Sequence, residues 1–174
     1  MTRTPPEAMQ VVKQRRDATL KALVERIPYV RFMGVTFDRR GDELTGVLNF
    51  DEKLIGNPFL PALHGGATAA FLEVTSVVTL SWSRLYPLIE QGELTPEDLT
   101  ADRLPSMPKT IDFSVDYLRS GLPRDAYARA TVTRSGRRYA SVRAEAWQDN
   151  RTRLFATGTG HFLMPQSKDP ERAG

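Results

Sequence analysis

Residues 54–83 form a run of thirty residues with a single formal charge, Glu73. The first part, L-I-G-N-P-F-L-P-A-L-H, reads as a loop, because Gly56-Asn57-Pro58 and Pro61 are turn residues and helix breakers. From about Gly65 to Trp82 there is no Pro and, after Gly66, no Gly, and Ala, Leu, Val and Phe alternate with small hydroxyls. The spacing predicts a helix that is apolar nearly all round, and such a helix must be buried. One turn either side of Glu73 it offers only Ala69, Ala70, Ser76 and Val77, so the carboxylate finds no cation on its own helix. Burying a charge without compensation costs several kcal/mol, on the order of the penalty for a desolvated ion. Glu73 therefore reads as a working group, or as an acid satisfied by backbone N–H groups or a partner subunit.

A helix of that kind needs a sheet curled round it, and the rest of the chain supplies strands. Residues 34–40 and 43–51 flank the hairpin signal Arg40-Gly41-Asp42. Residues 110–119 alternate Ile111, Phe113, Val115 and Tyr117 with Asp112, Ser114 and Asp116. Residues 126–134 and 138–148 flank Ser135-Gly136-Arg137, and a last strand covers 153–164. Ala126, Ala128, Ala130, Ala140, Ala144 and Ala146 leave room for a helix against one face. Residues 7–27 show helical spacing ended by Pro28, with a short link at 29–33. Thr95-Pro96-Glu97-Asp98 predicts a short helix over 96–103 within an irregular excursion at 86–108. The expected organisation is α+β: an N-terminal helical extension (1–28), one domain (29–164) with five to six antiparallel strands round one long buried helix, and a flexible tail (165–174).

At 174 residues one domain with a real core is expected. Without Cys there is no thiolate chemistry, and with only His64 and His161 no His-rich metal site, so no metal or cofactor is expected. Basic and acidic residues number 24 and 21 and are interspersed, which does not call for nucleic acid. The N-terminus has no secretory pattern and no continuous apolar run spans a bilayer, so a cytoplasmic protein without a membrane partner is the default expectation.

Three pieces then resemble one family, the hotdog-fold acyl-CoA thioesterases of the PaaI-like branch: Asn57 through Leu63-His64-Gly65-Gly66, the acid nine residues after His64, and the strand T-I-D-F-S-V-D-Y-L-R at 110–119. The resemblance covers roughly 30–164. It implies an acyl-CoA substrate, Glu73 as general base or nucleophile, and the Gly65 N–H polarising the thioester carbonyl. It also implies Asn57 orienting water or carbonyl, His64 positioning the loop or assisting polarisation, and Thr110 holding the water. Two departures stand out: many relatives carry Asp where this chain has Glu73, and Asn57 lies one residue further from His64 than in the usual pattern. Gly66 would admit the substrate close to the backbone, and Arg119, Arg134, Arg137 and Arg138 could meet the phosphates of coenzyme A, or serve solubility alone. Members of this kind pair their sheets edge to edge, which implies a homodimer or tetramer with sites at the subunit interface. A hydratase or dehydratase of the same fold and a non-catalytic acyl-CoA-binding domain are the competing readings.

Overall fold

The computed structural model describes residues 9–94, 98 and 106–165. The expected helix at 96–103 and the expected tail from 166 onward lie outside the described residues, apart from Asp98.

The sheet and its central helix have the expected relation. Six strands run in the order β1-β2-β6-β7-β8-β5, every neighbouring pair antiparallel. They are β1 (Val35–Arg40), β2 (Glu43–Leu48), β5 (Lys109–Tyr117), β6 (Ala126–Ser135), β7 (Tyr139–Trp147) and β8 (Ala156–Leu163). Two short strands, β3 (Ile55–Asn57) and β4 (Ala62–Leu63), make a separate hairpin that leads into α3 (Gly65–Glu90). The sheet curls round α3, which lies chiefly against β6 and β7. This is the hotdog arrangement.

Small residues make the close packing possible. Ala126, Ala128, Ala140, Ala144, Ala146 and Ala156 are buried on the helix-facing side. At Gly46 a Cβ would stand 2.7 Å from Thr75 Oγ1, so any side chain there would push the helix off the sheet. Phe71, Leu72, Val78, Leu80 and Trp82 fill the core from α3. Two of its buried hydroxyls are satisfied within the helix: Thr75 and Ser76 donate to the carbonyls of Phe71 and Leu72, each at 2.8 Å.

The N-terminal region differs from its sequence expectation. α1 (Met9–Glu25) packs Thr19, Leu20 and Leu23 inward, and Pro28 both ends that region and starts α2 (Pro28–Met33) where only a link was expected. Proline has no N–H to lose at a first helical position, so the same residue serves as stop and start. Gly34, at φ 73°, closes α2.

α3 also runs about two turns past its expected end at 82, through Pro87, to a cap at Gln91. Leu85 and Ile89 are buried, and their burial offsets the hydrogen bond that Pro87 cannot make. The excursion expected from 86 loses its first five residues, 86–90, to the helix.

Candidate functional site

α3 begins at a constrained turn. His64 is its N-cap, with Nδ1 accepting the Gly66 N–H at 2.9 Å, which places the ring proton on Nε2. The ring rests on the backbone of Gly56: a Cβ there would meet His64 Cα at 2.7 Å and Cδ2 at 2.9 Å. Gly56, read from sequence as a turn residue only, is thus the residue that admits His64. The His64 N–H donates to the Leu54 carbonyl at 2.7 Å, and Leu63 N–H to Gly121 at 2.9 Å. The Gly65 N–H has no acceptor among the described residues and points out of the first turn of a 26-residue helix, where free donors and the dipole favour negative charge.

Two turns further on, Glu73 lies at the margin of the buried face and is partly exposed in the single chain. Thr110, at the start of β5, donates its hydroxyl to Glu73 Oε1 at 2.6 Å. That bond fixes one carboxylate oxygen and leaves the other for a second donor. At the far end of the same strand, the Tyr117 hydroxyl donates to the Gly65 carbonyl at 2.8 Å. Tyr117 was not among the candidate site residues. Its signal was its alternation with Phe113 and Val115, which turns it toward the helix.

The remaining candidates fall in several places. Asn57 is exposed and its Oδ1 accepts the N–H groups of Phe59 and Leu60 at 3.0 and 3.2 Å, a turn-forming role that leaves its amide NH₂ uncommitted. The strand registers place the basic set at two opposite ends of the sheet. Thr110 pairs with Phe162, Phe162 with Ala140 and Ala140 with Ser135, so Arg134, Arg137 and Arg138 share the Thr110 end. Arg119 lies beyond Tyr117 at the other end, roughly 30 Å along the strand from nine residues at ~3.3 Å each. One protomer does not bring the four together.

Comparison with known proteins decides the family. A family model described as the acyl-CoA thioesterase N-terminal domain matches residues 57–163. The chain belongs to the acyl-CoA thioesterases of hotdog fold. Curated relatives of this thioesterase include the medium/long-chain acyl-CoA thioesterase YigI of Escherichia coli K12, 28% identical over 158 residues that cover 90% of this chain and 98% of YigI. Among solved structures, a protein from Chromobacterium violaceum is 32% identical, covers 90% of this chain and 97% of its own, and superposes with a TM-score of 0.59. A protein from Shewanella oneidensis related to the thioesterase superfamily is 29% identical, with coverages of 85% and 96% and a TM-score of 0.67. Thioester hydrolysis of acyl-CoA is therefore the activity, ahead of the hydratase and binding-module readings. Among the described residues, no helix of this thioesterase is long and apolar enough to cross a membrane.

Proposed function

We propose that this enzyme hydrolyses medium- to long-chain acyl-CoA, the range named for its YigI relatives, at a site that two copies of the chain build together. Glu73 acts as general base on a water molecule, which attacks the thioester carbonyl. The C–S bond breaks, coenzyme A leaves as the thiol after taking up a proton, and the acyl group departs as the carboxylate. Thr110 holds one oxygen of Glu73 so that the other faces the water. The developing oxyanion needs a donor, and the Gly65 N–H is uncommitted.

Within one chain that pairing fails on distance. Gly65 and Glu73 are eight residues apart on one helix, about 12 Å along its axis at 1.5 Å per residue, too far for both to serve one carbonyl. The observation that carries the reading is the tethering of these two points to opposite ends of a single edge strand: Glu73 by Thr110, Gly65 by Tyr117. If β5 pairs antiparallel with β5 of a second copy about its midpoint, the strand ends exchange places. The partner's Gly65 and the partner's Arg119 then approach Glu73, beside Arg134, Arg137 and Arg138 of the first protomer. Asn57, on the exposed turn before α3, travels with Gly65, and its free amide faces the same cleft. His64 keeps the turn in place as the cap.

The test is a panel of acyl-CoA esters from acetyl to palmitoyl with thiol detection, run beside sedimentation of the same sample. Hydrolysis by a dimer or larger even assembly supports the reading; full turnover by a monomer would remove the shared site. A single turnover in heavy-oxygen water adds the chemistry: label in the first product carboxylate supports direct attack by water, whereas unlabelled first product would point to an anhydride with Glu73.

A further inference from the structure

Beyond Glu73, the face of α3 that carries it continues through Val77, Ser81, Arg84 and Leu88 at helical spacing. The strand lead-in that delivers Thr110 continues backward through Pro108 and Met107. Between these two segments lies a cavity of about 250 Å³, walled by Ser81, Leu85, Leu88, Met107 and Pro108 and closed on one side by Leu23 of α1. The exposed members of its wall, Arg84 and Ser106, are polar. Ser81 is 7% exposed and its hydroxyl has no partner among the described residues, unlike Thr75 and Ser76 on the same helix.

We infer that this cavity receives the distal part of the substrate's acyl chain and that α1 sets how long that chain can be. The inference rests on the placement of the reacting carbonyl at Glu73 proposed above. From Glu73 the cavity begins near Ser81, about 12 Å along the helix, and ends near Leu88, about 22 Å along it, at 1.5 Å per residue. Acetyl and butyryl groups end well short of it. A dodecanoyl or palmitoyl chain laid along the same face enters it and meets Leu23. The walls suit such an occupant, since Leu85, Leu88, Met107, Pro108 and Leu23 offer hydrocarbon, and each methylene removed from water there favours binding. α1 lies outside the segment matched by the family model, so the length limit is set by an element that precedes the matched domain in the chain.

The experiment compares kcat/KM for butyryl-, octanoyl-, dodecanoyl- and palmitoyl-CoA in three variants of the full-length enzyme. Ser81→Leu and Leu88→Trp fill the cavity from different sides, and each is expected to lower the dodecanoyl-to-butyryl ratio at least tenfold. Leu23→Ala opens the α1 end and is expected to raise the palmitoyl-to-dodecanoyl ratio severalfold. A ratio of two substrates within one variant does not depend on the fraction of protein folded, so partial destabilisation of the Leu23 variant leaves the comparison intact. Ratios unmoved in both filling variants, while butyryl-CoA is still cleaved, would overturn the cavity assignment alone. Wild-type enzyme that cleaves none of the four esters would overturn it together with the proposed site.

Discussion

The two edges of the six-stranded sheet are built in opposite ways. β1 is six residues long and is flanked by α1 and α2. Its Arg39 turns inward, with a side chain only 4% exposed, and reaches Asp17 of α1 at 2.6 and 2.9 Å. An inward charge and a covering helix are devices that keep an edge from pairing with another chain. β5 is nine residues long and no other described strand pairs with its outer side. Beside it Ile111, Tyr117 and Leu118 are each more than half exposed. Its acids, Asp112 and Asp116, alternate onto the face away from the helix, where Asp112 meets His161 at 2.9 Å. The open edge is also the one tied to α3 at both ends. The contrast is the one the proposed shared site requires, with the unprotected edge being the one whose pairing would complete it.

The largest expected effect comes from the group that the open edge holds. Glu73→Gln keeps the Thr110 hydrogen bond but removes the proposed base, and kcat is expected to fall by roughly 10²–10⁴-fold, the usual worth of general-base catalysis, with KM nearly unchanged. Turnover equal to wild type would remove Glu73 from the chemistry, and the meaning of the open edge with it.

Next is the pairing itself. Ile111→Lys combined with Leu118→Lys places like charges on the β5 edge. We expect a monomer by sedimentation and a loss of roughly 10²–10³-fold in kcat, as for removal of an oxyanion donor. Thr36→Lys on the covered edge should change neither property. A monomeric double variant with full activity would show that each chain carries a complete site, and the two edges would then differ for some other reason.

Thr110→Val sharpens the comparison at one bond. It keeps the shape and removes the donor to Glu73, and a hydrogen bond to a charged group is worth about 1.5–3 kcal/mol. Misorientation of the base should lower kcat about tenfold, and Thr110→Ser should restore most of it.

Legibility in the sequence follows the same division. The isolation of Glu73 on an apolar helix and the alanines that admit that helix are local patterns of period 3.6 and 2, so α3 and the inner face of β6 and β7 could be read directly. What could not be read depends on strand order. The distance between Arg119 and Arg134 is set by which strands lie between them, and no spacing along the chain encodes that. Tyr117 was visible as a helix-facing residue, but its bond to Gly65 links positions 52 residues apart. The two prolines act differently: at Pro28, the first position of α2, no hydrogen bond is lost, so the residue can start a helix as well as end one, whereas at Pro87 burial of Leu85 and Ile89 outweighs the lost bond.

The smallest effect belongs to the covered side. Arg16 of α1 grips Glu90 at the end of α3, with Nε donating to Oε1 at 2.7 Å and a second bond from Nη2 to Oε2, while its guanidinium stacks over Tyr86 at 5.2 Å. The hydrogen bond from Arg16 holds the Glu90 carboxyl below the ordinary carboxylate value, and the same bond raises Arg16. A carboxyl with a depressed folded-state value stabilises the fold at pH above its unfolded value, about 4.3, and loses that contribution as pH falls through the folded one. The side chains are 22% and 35% exposed, so solvent screens the pair and its worth is below about 1 kcal/mol. Melting temperatures of wild type and Glu90→Gln should therefore differ by a few degrees at most at pH 7 and converge below pH ~4. A gap that persists or widens in acid would mean that α1 is held by its packing through Leu20 and Leu23, with the ion pair contributing nothing.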